Sequence, residues 1–286
     1  MAETNSNNNS TFATRKEAVV SSLVEVLDAE RRDKSPKGFI DAPILDLMHI
    51  INRHPEYYTT SSCSGRVAVY CEGLENETEK STKGGEWLYV THDPVPIPEK
   101  VDDAWVVGLL FGNRPVQREH APLLNVLNHR LIYFKFEPLI LHVEAATAEA
   151  CMRLNNLAYQ AGYQNSGITP SRRHMLAIRS THKIDTPIAY LDNDGSIRCL
   201  VDPTYLYTLV LMSNDKFTSN QNRMKAFEQI MEKEVQQHTI EVNTETKEQR
   251  RERKRREGMA RQQFKQPKKE SHPIEDPNVD LTQLAL

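Results

Sequence analysis

Residues 59–66 read Thr-Thr-Ser-Ser-Cys-Ser-Gly-Arg, a run of short hydrogen-bonding groups around one thiol that ends in Gly-Arg. Such residues pack no core. Hydroxyls donate and accept at short reach, Gly65 is free to take φ > 0, and Arg66 can grip a phosphate or carboxylate through its planar fork. Tyr57–Ser62 and Val67–Cys71 both read as strands, so the run is expected to be a binding loop between them. A tight turn whose hydroxyls satisfy backbone groups is the plainer alternative. The same vocabulary returns in Asn165-Ser166-Gly167-Ile168-Thr169 and in Arg179-Ser180-Thr181-His182. Histidines fall at expected strand ends (His92, His142, His182, with His174 nearby), but no HxH, HxxxH or HExxH spacing points to a metal.

These groups need elements to hold them. The first dozen residues are Asn/Ser-rich and are expected to be disordered, with 1–14 preceding a domain over 15–242. Val19, Leu23, Val26 and Leu27 recur at helical spacing between Arg15 and Arg32. Asp41 is placed to cap a second helix with Pro43 in its first turn, and Pro55 stops it. Glu86–His92 reads as a strand. In 93–130 the prolines at 94, 96 and 98 force extended chain, Val101–Leu110 fits a short helix, and Arg114–His129 reads as a surface insertion. Leu131–Lys135 and Leu139–Val143 read as strands either side of Phe136-Glu137-Pro138. Thr147 is an N-cap candidate for a helix stopped by Gly162. Met175–Arg179 and Ile197–Val201 are strands, the second entered through Asp192-Asn193-Asp194-Gly195. Asp202-Pro203 opens helical pieces running to about Val242. This order predicts an α+β fold, with a mixed or antiparallel sheet and flanking helices. No strand leads through GxGxxG or GxxxxGK[ST] into a helix, so no doubly wound nucleotide fold is indicated.

Composition sets wider bounds. The 286 residues carry a net charge of −3 and 38% hydrophobic residues. Between Lys247 and Lys269 there are eleven Lys/Arg against three Glu, leaving −11 for the remainder. The segment 243–286 is therefore expected to be a charged, disordered tail, either solvated or bound to RNA phosphates. Cys63, Cys71, Cys151 and Cys199 show no CxxC spacing, which predicts a reduced protein without a disulfide framework or structural metal. No apolar stretch approaches the roughly 20 residues of a membrane span and the start lacks a signal-peptide segment, so a cytoplasmic protein is expected.

Five blocks occur in order: Tyr58–Arg66, Trp87–His92, Phe134–Val143, Gly162–Thr169 and Met175–His182. Together they resemble the tRNA wybutosine-synthesizing protein 3 family over roughly residues 15–240. The longer stretch 93–130 and the tail depart from that pattern. The resemblance implies an S-adenosylmethionine-dependent methyltransferase acting on N4 of the tricyclic base built on guanosine 37 of phenylalanine tRNA. It also implies an α+β domain distinct from the Rossmann methyltransferases. A non-catalytic tRNA-binding accessory protein is the rival reading, and other wybutosine-pathway enzymes are conceivable partners.

On that basis Ser61, Ser62, Ser64, Gly65 and Arg66 are expected to bind the cofactor. His182 ranks first as proton acceptor or base-edge reader, His92 second, and Glu137 is a third candidate that can face a sulfonium or take the N4 proton. Lys135, Asn165, Ser166, Arg179 and Ser180 are expected to meet RNA. For Lys135 and Glu137 the plainer alternative is a charge pair flanking an inward Phe136. Cys63 is expected to be buried and inert, and Trp87 to lie in the core with base stacking as the alternative.

Overall fold

The computed structural model describes residues 7–27, 40–73, 85–119, 129–170, 173–244 and 247–263. Helix α1 (Asn7–Leu27) begins well before Arg15, inside the stretch read as disordered. A 3-10 turn (Ala42–Ile44) leads into α2 (Leu45–Arg53). Then come β1 (Tyr57–Cys71), β2 (Glu86–Thr91), α3 (Asp103–Phe111), β3 (Val116–Arg118) and β4 (Arg130–Ala145). Helix α4 (Ala148–Gln160) is followed by β5 (Gly167–Thr169), β6 (His174–Arg179), β7 (Ile184–Leu191) and β8 (Ile197–Cys199). The chain ends in α5 (Pro203–Thr244) and α6 (Lys247–Gln263). The basic segment expected to be disordered is thus helical as far as Gln263; residues 264–286, like 1–6, lie outside the described residues.

One eight-stranded sheet runs β2-β1-β4-β7-β8-β3, with β6 added to β4 and β5 to β6. All pairs are antiparallel except β3 with β8, so the α+β expectation with a mixed sheet holds. Two corrections concern its longest strands. The Thr59–Arg66 run is not a loop: β1 continues through it, paired to β4 from Tyr57↔Ala145 to Cys71↔Ile132. Small hydroxyl residues tolerate a strand whose ladder is supplied from both sides of the sequence. Likewise β4 is unbroken through Pro138. On its far side β7 ends at Phe136↔Ile184 and β6 begins at Ile140↔Arg179. Pro138 stands in that fork, where no strand asks for its missing N–H. Within the expected surface insertion, Val116–Arg118 joins the sheet instead; residues 120–128 are outside the described set.

Two hydrophobic cores flank the fork. One gathers α2, α4 and β6 on Leu139, Leu141, Val143 and Ala145; the other gathers α3, β7 and β8 on Ile132, Phe134 and Phe136. Core-facing positions of β4 are even before Pro138 and odd after it, so the pleat changes phase at the fork. Among the described helices, α5 alone contributes to both. Its 42 residues span about 63 Å, giving Leu206, Leu209, Val210 and Phe217 to one core and Met224, Phe227 and Met231 to the other. The expected series of helical pieces is one helix because this double docking rewards continuity. Helix α1 is held by charge: the Arg15 guanidinium and the Tyr58 hydroxyl both donate to the buried carboxylate of Glu144.

At the end of α2, His54 is fully buried and stacks on Tyr57 at 4.4 Å. Its Nδ1 accepts from the Glu56 N–H at 3.2 Å, and its Nε2 is buried with no hydrogen-bond partner. Burial, followed by His238, Arg153 and Lys16, holds its pKa down at about 3 against an ordinary 6.5. Protonation therefore favours the unfolded chain. The stabilising effect of a neutral His54 is complete above pH 6.5 and is lost as pH falls towards 3. Urea unfolding across that window should show a fall in stability that is steeper for the native protein than for His54→Asn, by up to ~1.4 kcal/mol per pH unit. Equal slopes would remove His54 as its source.

Candidate active site

The run Ser61–Arg66 sits at the waist between the two cores, and its backbone is held by side chains from three helical elements. Its entry is set by Asn52 of α2, whose Oδ1 accepts from the Thr59 N–H at 2.9 Å, next to the register shift between Thr59 and Ser61. At Ser64 the direct pair with Leu139 is missing from an otherwise regular register. There the Ser64 N–H donates to Asp41 Oδ2 at 2.8 Å, and the Ser64 carbonyl accepts from Asn220 Nδ2 of α5 at 2.7 Å. Asn220 Oδ1 in turn accepts from the Leu139 N–H at 3.0 Å. Gly65 follows with φ 122°, and an added Cβ would stand 3.1 Å from the Glu137 carbonyl and 3.2 Å from Asn220 Nδ2. Only glycine fits there without strain.

Asp41 is where sequence reasoning missed a site residue. It was read as a helix cap, yet its side chain makes no cap hydrogen bond. It is instead a buried carboxylate turned to β1. His92, just past β2, approaches Cys63 with Nε2 at 4.0 Å from Sγ. Donor atoms of Asp41, Cys63 and His92 all lie within 4.8 Å of one another. Cys63 is thus half-buried at the centre of a polar cluster, whereas Cys71, Cys151 and Cys199 are buried; all four are free thiols. A carboxylate, a thiol and an imidazole at this spacing can bind a cation or relay a proton. Nothing in the order Asp-Ala-Pro announces the role, because 22 residues and a helix separate Asp41 from Cys63, and 51 residues separate it from His92.

The serines divide by face. Ser61 is exposed, and its Oγ lies 2.9 Å from His142 Nδ1. Burial and then Arg179 lower the His142 pKa, so this imidazole is neutral at pH 7. Ser62 donates to Met48 Sδ at 3.4 Å, and Ser64 is buried. Arg66 pairs through Nε with Glu137 Oε2 at 2.6 Å and lies 4.6 Å from the Trp87 ring centroid. Trp87 is not in the core: it is 46% exposed and packs on Tyr70 at 4.7 Å. Lys135 meets Asp185 at 2.8 Å rather than Glu137, and lies 4.9 Å from the Tyr133 ring.

The His182 corner, between β6 and β7, is organised by Arg223 of α5. Its Nη1 donates to Ser180 Oγ at 2.7 Å and its Nη2 to His182 Nε2 at 2.6 Å. Burial, then Arg223 and Lys216, lower the His182 pKa. With Nε2 accepting from Arg223, a neutral His182 carries its proton on Nδ1. Ser180 is buried, and its Oγ accepts from Arg223 and from the His182 N–H. Ser166 is similarly engaged, donating to the Tyr163 carbonyl at 2.7 Å and accepting from the Arg179 N–H at 3.1 Å. Asn165 and Arg179 are exposed. His174, at the start of β6 opposite Ala145, is remote in register from that corner.

Known proteins resemble this chain over most of its length. The family described as Methyltransferase TYW3 matches residues 14–233. The chain is 37% identical over 274 residues to tRNA wybutosine-synthesizing protein 3 of Saccharomyces cerevisiae, covering 90% of this chain and 96% of that protein. It is 34% identical to the tRNA wybutosine-synthesizing protein 3 homolog of Xenopus laevis, over 77% of this chain and 78% of that one. In Arabidopsis thaliana, tRNA wybutosine-synthesizing protein 2/3/4 matches 76% of this chain at 36% identity, within only 20% of its own length. Among solved structures, the PH1069 protein of Pyrococcus horikoshii is similar with a TM-score of 0.56 and 26% identity, covering 78% of this chain and 97% of that one. With residues 14–233 matched by the family and 37% identity to a relative over 90% of its length, the chain belongs to the TYW3 methyltransferase family.

Proposed function

We propose that this protein transfers a methyl group from S-adenosylmethionine to N4 of the tricyclic wybutosine precursor at guanosine 37 of phenylalanine tRNA, in the cytoplasm. The observation that carries this reading is the convergence of Asp41, Cys63 and His92 on the Ser61–Gly65 strand of a chain from a methyltransferase family. The donor set suits the cofactor: a buried carboxylate favours a sulfonium, and short hydroxyls with an arginine favour an amino-acid carboxylate. Ser61, Ser62 and the Nη edge of Arg66 would hold it, on a strand whose course the tightly packed Gly65 sets. When bound, it supplies an electrophilic methyl group. The protein's part is to aim the ring nitrogen in line with it, exclude water and take one proton.

His92 is the best-placed proton acceptor, with the Asp41 carboxylate close enough to stabilise the imidazolium that results. Glu137 is second, because accepting a proton there would release Arg66. The base must leave its stack to reach this waist, and neighbouring bases then need a surface. We assign the anticodon loop to the exposed Trp87 face and to Lys135, Asn165 and Arg179, which lie elsewhere on the sheet and its corners. Helix α6 adds a sequence-independent hold on phosphates: residues 248–256 are all exposed and largely basic. The Arabidopsis relative, named tRNA wybutosine-synthesizing protein 2/3/4, favours other enzymes of the pathway as partners.

The direct test incubates the protein with labelled S-adenosylmethionine and tRNA from cells lacking this step. Nucleoside mass spectrometry should show one added methyl on the tricycle; its absence, with folded protein and intact substrate, sinks the enzyme reading.

Arg66→Lys keeps the charge and loses the fork, so binding of cofactor or tRNA should weaken by about 1–3 kcal/mol. Isothermal titration showing wild-type affinity for both ligands would leave Arg66 as a purely structural partner of Glu137. Deleting residues from Lys247 onward should weaken tRNA binding and flatten the dependence of log affinity on log salt by about 0.7 per lost contact to a single-stranded loop. The loss should be the same for modified and unmodified guanosine 37, since phosphates position without reading. An unchanged salt slope would make α6 a solvated helix.

A further inference from the structure

The five polar blocks lie on separate strands and corners, and a single helix reaches the framework around each. Near its start, Asn214 of α5 clamps both backbone groups of Val95: the Val95 N–H donates to Oδ1 at 2.8 Å, and Nδ2 donates to the Val95 carbonyl at 2.8 Å. Val95 stands three residues beyond His92. Two turns later Asn220 spans Ser64 of β1 and Leu139 of β4. Three residues further, Arg223 holds Ser180 and His182 and packs against Gly162, where an added Cβ would stand 3.4 Å from Nε. None of these three residues belongs to a block, and none is needed to fill a core.

Asn220 is the most demanding of them. It is only 4% exposed, at the point where α5 passes from one core to the other. Its amide gives and accepts one hydrogen bond in a single plane, as the missing peptide-to-peptide contact between Ser64 and Leu139 would have done. Inserting a side chain there keeps β1 and β4 apart just where Gly65 turns and where Cys63 meets His92. A direct ladder bond would close that gap.

We propose that Asn220 and Arg223 are positioning residues for the methyl transfer: Asn220 sets the separation of β1 and β4 that opens the Cys63–His92 site, and Arg223 locks the His182 corner to the same helix. This rests on the methyltransferase reading, and the test separates the two. Full-length Asn220→Ala, Asn220→Asp and Arg223→Ala proteins would be compared with wild type in melting temperature, in kcat and KM for tRNA and S-adenosylmethionine, and in amide hydrogen exchange read by mass spectrometry. Asn220→Ala should lose roughly a hundredfold in kcat, the size expected when a reacting group is displaced by about 1 Å, with KM for both substrates within a few fold. Exchange should quicken at 61–66 and 137–141 and stay slow elsewhere. Arg223→Ala, which frees Ser180 and His182 from α5, should lower kcat with KM for both substrates within a few fold. A general structural role would lower melting temperature and the active fraction, without a selective loss of kcat per active site or exchange confined to those two segments.

Should Asn220→Ala fail to fold, Asn220→Asp carries the test: it keeps the acceptor for Leu139 and loses the donor to Ser64, so its kcat should also fall. Wild-type kcat and exchange in both Asn220 variants would overturn the proposal. If wild type itself transfers no methyl group, the functional reading fails while local exchange still decides whether Asn220 holds the strands apart.

Discussion

The side-chain amide of Asn220 stands where a backbone hydrogen bond would otherwise join the two longest strands. Ser64 and Leu139 are both deep in the fold, and a buried peptide group left unpaired costs about 1–3 kcal/mol. A leucine at 220 would leave two such groups orphaned, and an aspartate would satisfy only one. The amide lets the ladder open without that penalty. Around this opening the sheet forks, the pleat changes phase, Gly65 takes its left-handed turn, and the two cores separate.

A forked sheet with a core on each side of the fork needs an element that ties the halves together. Helix α5 does so by burying apolar residues in both, which explains why it is continuous although its sequence carries no uniform apolar face. The site lies where these constraints meet, so its geometry is fixed by rigid elements rather than by a loop. Side chains that elsewhere would simply be solvated are here assigned to partners: Arg66 to Glu137, Lys135 to Asp185, Arg223 to His182. Each partner restricts what its residue can do chemically. The clearest case is His182, whose acceptor nitrogen is already occupied. By contrast, His92 sits beside Cys63 and Asp41, where one proton can be passed within a few ångströms.

Burial also sorts the ionisable groups into those that act at neutral pH and those that only support. His54 and His142 are held neutral by desolvation and nearby cations. Glu144 is buried as the acceptor of Arg15 and Tyr58, and anchors α1. They explain why α1 and α2 stay against the sheet and keep Asp41, on the short turn ahead of α2, within reach of Ser64.

Much of this protein was legible in its sequence because the signals are local. The α+β class follows from the order of periodic segments. Thr147 caps α4 through the Ala150 N–H as its type and place predict, Val101–Leu110 forms a helix close to those bounds, and Asp192–Gly195 makes the turn into β8. The hydroxyl-rich run around Cys63 stood out as a candidate site, and the five blocks in order marked the family. What the sequence could not decide was which side of each residue faces what. A run of serines reads as a loop until a paired strand supplies its ladder; Pro138 reads as a break until the far-side partner proves to be absent. Trp87 reads as core until the sheet leaves its face open. Asp41, Asn220 and Arg223 carry no local signal at all, because their partners lie in distant segments brought to them only by packing. Spacing along the chain determines which elements form. Hydrogen bonds between remote elements, satisfied only in the folded state, decide which of their residues become a site.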